Sequence, residues 1–90
     1  MHLTKTTVID VRSREEYASG HVVDSLNIPL NELPAKIEEL KTIDGSIVLC
    51  CASGMRSSIA RRMLLQHGIS NVIDGGSWMN VQYQIVNNLV

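Results

Sequence analysis

The sequence contains no phenylalanine, one tryptophan and two tyrosines, so its core has to be built from aliphatic side chains. It has no block of like charge, and a formal net charge of −1 gives no electrostatic reason to bind nucleic acid. No apolar run approaches the roughly 20 residues that cross a membrane, and residues 1–7 lack the apolar stretch of a signal peptide. We therefore expect one domain over residues 1–90, frayed over residues 1–6, that binds neither nucleic acid nor a membrane.

Cysteine is also scarce, since the sequence has only Cys50 and Cys51, which are adjacent. A disulfide between neighbours would be strained and would not join distant parts of the fold. None of the three histidines stands at metal-ligand spacing from the cysteines. We therefore expect two free thiols, no metal and a reducing compartment, with the cytoplasm as the predicted location.

Short apolar runs alternate with helical patterns along the chain. The predicted strands cover residues 6–11, 25–28, 47–50 and 71–74, and the predicted helices cover residues 13–20, 30–40, 57–67 and 77–90. Ser13 and Glu16 form a capping box for the first helix, and Asn31 is the predicted cap of the second, which carries Pro34 near its first turn. The alternation predicts an α/β fold whose helices cover both faces of a central parallel sheet.

The segment from Cys51 to Ser57 joins the third predicted strand to the third predicted helix. A loop that leads into a helix N-terminus directs unpaired backbone N–H groups at one spot, and the helix dipole adds to their field. Such surroundings lower the pKa of a thiol from about 8.5 into the range of roughly 3.5 to 7.5. The segment therefore predicts a nucleophilic Cys51 in an anion-binding loop, at the carboxyl end of a strand, where active groups of such sheets lie.

The backbone of this loop and several of its side chains have expected roles. The backbone N–H groups are expected to hold the anion, and Arg56 is expected to hold the loop and favour the thiolate. The hydroxyls of Ser53 and Ser57 can donate to an anion, although Ser57 is equally well a helix-start residue. Met55, at the tip, is expected to face solvent or substrate. The predicted loop site consists of Ala52, Ser53, Gly54, Met55, Arg56 and Ser57.

Three segments, in the right order, resemble the rhodanese family. The loop matches the active-site pattern Cys-x-x-Gly-x-Arg-Ser of that family. The upstream matches are Asp10-Val11-Arg12, Glu16-Tyr17, Gly20-His21-Val22 and Asn27-Ile28-Pro29, and the downstream matches are Asn71-Val72 and Gly75-Gly76 with Trp78. The resemblance covers about residues 8–81. Two features depart from the family: Asp24 stands where glycine is frequent, and the usual helix before the first strand is missing.

The resemblance implies a rhodanese-like domain and a sulfurtransferase activity. The Cys51 thiolate would take a sulfane sulfur from thiosulfate or a persulfide donor and become a persulfide. It would then pass the sulfur to a thiophilic acceptor, either cyanide or a thiol, including a thiol on a protein. The resemblance implies no metal and no organic cofactor.

Two other interpretations remain open. Counted from Cys50, the spacing to Arg56 resembles the phosphate loop of cysteine-dependent phosphatases and arsenate reductases. Gly54 falls three residues after Cys51, as the sulfurtransferase loop requires, so we favour Cys51 as the nucleophile and place Cys50 in the core. The other alternative is a rhodanese-like module that carries sulfur to a protein partner or docks on one.

Asp10 and Arg12 are predicted to serve the architecture that supports the site. Asp10, at a strand end close to the loop, is expected to accept hydrogen bonds from the loop backbone. Arg12 is expected to pair with Glu16 or to reach the mouth of the site.

Overall fold

The computed structural model describes residues 5–87 and contains one sheet of four parallel strands in the order β2-β1-β3-β4. The strands are β1 (Thr6–Asp10), β2 (Leu26–Asn27), β3 (Ser46–Cys51) and β4 (Val72–Ser77). The helices are α1 (Arg14–Ala18), a 3-10 helix (Leu30–Lys36), α2 (Ile37–Leu40), α3 (Met55–Gln66) and α4 (Trp78–Val86). The predicted α/β fold with a central parallel sheet is confirmed. Of the segment predicted to fray, residues 1–4 lie outside the described residues, and Thr6 opens β1.

Helices cover both faces of the sheet, as predicted. Side chains alternate along a strand, so Leu49 and Cys51 point to one face of β3, while Val48 and Cys50 point to the other. The first face packs under the 3-10 helix, α2 and α3, with Leu33, Ile37, Ala60 and Leu64 among its buried residues. The second face packs against α4 through Val81, Trp78 and Ile85. Aliphatic side chains form most of both clusters, which is the core that a sequence without phenylalanine requires.

Residues 30–40 do not form the continuous α-helix that their periodicity predicts. A 3-10 helix runs to Lys36, and α2 adds only four residues. Pro34 lies inside the 3-10 helix, where it has no N–H to donate. The prediction of Asn31 as the cap is wrong, because Pro29 occupies that position and no side chain caps the helix. Leu33 and Ile37 are nevertheless buried, so both kinds of helix satisfy the same apolar pattern.

β4 is longer than the predicted 71–74 and contains an irregularity. Its pairing with β3 shifts register between Leu49 and Cys50, which leaves Gly75 as the extra residue of a bulge. A Cβ on Gly75 would lie 2.7 Å from Cγ2 of Val81 and 2.8 Å from Cγ1 of Val48, so a larger residue cannot fit without displacing both neighbours. The bulge explains why two glycines can stand within a strand.

The last helix begins one residue later than predicted. Ser77 is its N-cap and accepts a hydrogen bond from the N–H of Asn80. The described part of α4 ends at Val86, and residues 88–90 of the predicted helix lie outside the described residues. Within residues 5–87, no helix combines the length and apolarity needed to span a bilayer.

The backbone conformation at Asp24 explains how aspartate replaces the glycine that is frequent there in the family. Its φ is +63°, the left-handed region that glycine enters without strain and that aspartate tolerates better than most residues. Asp24 therefore keeps the backbone conformation that a glycine would adopt at this turn.

Candidate active site

Cys51 is the last residue of β3, and its sulfur lies beneath the N-terminus of α3. The residue is 1% exposed. The backbone N–H of Gly54 donates to Sγ at 3.0 Å, and the N–H of Ser57 donates at 3.4 Å. Gly54 is the N-cap residue of the 12-residue helix α3 and has a φ of +100°, which only glycine adopts without strain. The glycine thus allows the chain to turn back over the sulfur.

These contacts change the ionisation of Cys51. Burial disfavours the thiolate, but hydrogen bonds from the hydroxyl and N–H of Ser57 and from the N–H groups of Gly54 and Ser53 favour it. The net effect is a Cys51 pKa below the ordinary value of a thiol. The N–H groups of the loop therefore converge on one sulfur, and the binding of an anion by this loop stays a prediction.

The sequence predicts that the third helix begins at Ser57, but α3 begins at Met55. The loop between β3 and α3 is therefore shorter than the motif from Cys51 to Ser57. Ala52 and Ser53 lie in the loop with exposed side chains. Met55 is 73% exposed and projects from the first helical turn, so it faces solvent as expected. Ser57 is fully buried and contacts Cys51 with both its N–H and its hydroxyl. It is therefore both a residue of the first helical turn and a neighbour of the sulfur.

Arg56 has a different main partner from the one predicted. Its guanidinium forms a two-point ion pair with Glu16, with Nη1 to Oε1 at 2.7 Å and Nη2 to Oε2 at 3.0 Å. The hydrogen bond to Glu16 is the main cause of the raised pKa of Arg56, and the charge of Cys51 is a smaller one. Glu16 also accepts a hydrogen bond from the N–H of Ser13 in the predicted capping box. The pair therefore joins the N-terminal turns of α1 and α3 beside the loop.

The predictions for the contacts of Asp10 and Arg12 are wrong, because the two residues bind each other. Oδ2 of Asp10 accepts from Nη2 of Arg12 at 2.7 Å, and the pair is almost fully buried. Nη2 also donates to the carbonyl of Gly20, and the guanidinium lies 4.9 Å from the ring centroid of Trp78. Asp10 and Arg12 thus secure the segment after β1 to Trp78, at the start of α4, and within residues 5–87 neither is hydrogen-bonded to the loop that follows Cys51.

Cys50 is chemically separate from Cys51 although it is adjacent in sequence. Its side chain is fully buried on the opposite face of the sheet, in the cluster with Val8, Val48 and Val81. Burial raises its pKa to about 12. Both cysteines are free, and no group of three or more histidine, cysteine or acidic residues within residues 5–87 is arranged to hold a metal ion. In the phosphatase interpretation, which counts the loop from Cys50, the sulfur of that first cysteine would therefore lie on the opposite face of the sheet and outside the loop.

Sequence reasoning gave no part to Asp74, which reaches the site. Oδ1 of Asp74 accepts the Ser57 hydroxyl at 2.7 Å and the N–H of Gly76 at 3.1 Å. Asp74 was identifiable in principle, because it lies near the carboxyl end of β4, beside the end of β3 that carries Cys51. The β4 bulge follows directly after Asp74, and the sequence analysis did not predict it.

Residues 1–79 match the family of rhodanese-like domains. Because the match covers most of the chain, the chain belongs to this family.

Two relatives and one solved structure illustrate the similarity. A Bacillus subtilis protein named as a candidate sulfur carrier, YrkF, is 37% identical over 67 residues, which are 74% of this chain and 36% of that protein. A protein of Allochromatium vinosum named sulfurtransferase is 33% identical over 67 residues, 74% of this chain and 62% of its own length. The structure of a rhodanese with anions from E. coli superposes with a TM-score of 0.76 at 28% identity, and the match covers 84% of this chain and 91% of that one. The chain spans less than two thirds of the two relatives.

Proposed function

We propose that this protein is a sulfurtransferase that carries a sulfane sulfur on Cys51. One observation carries the proposal: the thiol of Cys51 lies at the carboxyl end of β3 with two backbone N–H groups, those of Gly54 and Ser57, directed at its sulfur. This arrangement stabilises a sulfur anion without a cofactor. Family membership and the relatives named for sulfur transfer support the same chemistry.

The reaction has two steps. In the first, the Cys51 thiolate attacks the outer sulfur of thiosulfate, or the terminal sulfur of a persulfide donor, and a new S–S bond forms. The old S–S bond breaks, and sulfite or a thiolate leaves with the electron pair. In the second step, cyanide or an acceptor thiolate attacks the terminal sulfur of the Cys51 persulfide, and the Cys51 thiolate leaves. The products are thiocyanate or a new persulfide, and no net oxidation is required.

The loop backbone has the same task in both steps. Negative charge is on the Cys51 sulfur in the free enzyme and on the terminal sulfur in the persulfide. Negative charge on either sulfur is stabilised by the N–H groups of Gly54 and Ser57 and by the N-terminus of α3. A reducing compartment, for which we propose the cytoplasm, keeps the thiol available between cycles.

A sulfur-carrier role is a second candidate, favoured by the similarity to the Bacillus subtilis protein. In this role, the acceptor is a thiol on a protein, and small acceptors are used poorly. The side chain of Met55, exposed in the first turn of α3 beside the loop, provides an apolar contact for such a partner. Comparing the discharge of loaded protein by cyanide, by a small thiol and by a thiol on a protein separates the two roles.

Intact mass after incubation with thiosulfate tests the proposal. We expect a gain of one sulfur, about 32 Da from its atomic mass, that a reductant removes. The gain should persist in Cys50→Ala, which removes only the buried thiol on the far face, and be absent in Cys51→Ser. An adduct that depends on Cys50, or the absence of an adduct with both thiosulfate and a small persulfide, would overturn the proposal.

A further inference from the structure

The hydroxyl group of Ser57 has three neighbours but only one proton. Its oxygen lies 3.6 Å from Sγ of Cys51, 2.7 Å from Oδ1 of Asp74 and 3.1 Å from the carbonyl of Gly54. A hydroxyl donates one hydrogen bond and accepts up to two. The direction of the Ser57 proton therefore decides whether the hydroxyl supports the thiolate or the thiol of Cys51.

The shortest of these contacts points to Asp74. A hydrogen bond to an ionised carboxylate is about twice as strong as one between neutral groups, and 2.7 Å is a normal length for it. The sulfur is 0.9 Å farther from the hydroxyl oxygen, by the difference between 3.6 and 2.7 Å. Asp74 therefore competes with the Cys51 thiolate for the one Ser57 proton. While that proton lies between Ser57 and Asp74, a lone pair of the hydroxyl oxygen faces Cys51 and accepts from the thiol.

We propose that Asp74 is a positioning residue of the sulfur-transfer site, which holds the proton of the Ser57 hydroxyl and thereby sets the ionisation and nucleophilicity of Cys51. The backbone N–H groups of Gly54 and Ser57 stabilise the thiolate, and Asp74 limits that stabilisation by withdrawing the hydroxyl. A thiolate that receives no hydrogen bond from the hydroxyl is a stronger nucleophile, because nucleophilicity falls as the pKa of a thiol falls. The sulfur thus keeps a low pKa without losing its reactivity.

The other charged groups around Cys51 are already paired with each other. Arg56 from α3 binds Glu16 from α1, and Arg12 binds Asp10 after β1. Cys50, from the same strand, is buried on the opposite face. Asp74, from β4, is exposed and reaches the sulfur through a single hydroxyl. Ser57 is therefore the place where a change at Asp74 acts on Cys51.

The test replaces Asp74 by asparagine, because the amide oxygen can still accept from the N–H of Gly76 and keep the turn. A neutral amide holds the Ser57 proton less strongly, so the hydroxyl turns to the charged sulfur. The pH dependence of alkylation by iodoacetamide, measured in the Cys50→Ala background, should show the Cys51 midpoint lowered by about one pH unit. At high pH, where the thiolate is complete in both proteins, Asp74→Asn should react about threefold more slowly.

A double-mutant cycle with Ser57→Ala separates a contact through the hydroxyl from a through-space effect of charge. Without the hydroxyl, Asp74→Asn should move the midpoint by less than about 0.3 pH unit, because an exposed charge is screened by solvent and salt. Asp44→Asn is the matched control: it also removes one exposed carboxylate, but it precedes β3 at the end of the sheet opposite Cys51. It should leave the midpoint in place.

Two results would overturn the role of Asp74. One is a midpoint that stays unchanged or rises in Asp74→Asn, and the other is the same lowering with and without the Ser57 hydroxyl. This role rests on the proposed function of Cys51, but alkylation measures the thiol without any turnover. Failure to load sulfur from a donor would therefore count against the function alone, whereas an unchanged midpoint in a protein that loads normally would count against Asp74 alone.

Discussion

Each cysteine has its own surroundings, although the two are neighbours in the chain. Successive side chains of β3 point to opposite faces, so Cys51 meets the N–H groups at the start of α3, while Cys50 meets Val8, Val48 and Val81. The pKa of Cys51 lies below its ordinary value, and burial raises that of Cys50 to about 12. The same alternation prevents either sulfur from reaching the site of the other.

We therefore expect iodoacetamide to modify the folded protein once, at Cys51. The midpoint of the pH–rate profile should lie below the value of about 8.5 of a free thiol, because the thiolate is favoured at lower pH. Mass spectrometry of the native protein should find one adduct, which Cys51→Ser abolishes and Cys50→Ala retains. A midpoint at or above the free-thiol value would contradict the activated thiolate.

The packing of β4 requires glycine at position 75. The bulge at Gly75 brings the backbone of β4 against Val48, Val81 and the carbonyl of Leu49, with no room for a Cβ. Its φ is not in the left-handed region, so close packing and not backbone strain restricts this position to glycine.

Gly75→Ala should destabilise the fold by about 1–3 kcal/mol, the usual cost of overpacking. Urea unfolding measures the loss. Gly68→Ala is the control, because a Cβ there meets nothing within 4 Å and only a φ of +82° opposes it. Gly68→Ala thus measures the cost of backbone strain alone, and a Gly75→Ala protein as stable as the wild type would contradict the close packing at the bulge.

Sequence patterns predicted where the strands and helices lie better than they predicted the type of each helix and the ion pairs between elements. The β-branched runs and the capping box of Ser13 and Glu16 located the strands and α1, because these signals are local. Periodicity did not separate a 3-10 helix from an α-helix around Pro34, since Leu33 and Ile37 are buried in either. Cys51 was identifiable from its loop as the candidate nucleophile, whereas the pairing of Arg12 with Asp10 and of Arg56 with Glu16 depends on tertiary geometry.

At the scale of the whole molecule, the ion pair of Glu16 and Arg56 joins residues 40 positions apart. It connects α1, which has no buried residue, to α3, which packs on the sheet. The hydrogen bond from Arg56 is the main cause that lowers the pKa of Glu16 to about 2. A carboxyl with a lowered pKa in the folded state stabilises the fold above its unfolded value of about 4.3. That stabilisation is lost as the pH falls toward about 2.

Glu16→Gln should therefore be less stable than the wild type at pH 7, and the difference should shrink as the pH falls from about 4.3 toward about 2. Chemical denaturation at a series of pH values measures the difference. Glu38→Gln is the control, since Glu38 has an 87% exposed side chain and pairs with Lys41 three residues away. A difference between wild type and Glu16→Gln that is the same at both ends of this range would contradict the ion pair.

The strand order has a consequence for how the protein forms. β1 pairs with β3, so Asp10 lies opposite Cys50, although 40 residues separate them in the chain. Such non-local pairs form late and slowly. The sulfur receives its N–H donors only when β3 and α3 have docked, and its connection to Asp74 only when β4 has joined them. Until β3 and α3 have docked, the chain carries two ordinary thiols, so the appearance of an acidic cysteine during refolding reports that docking.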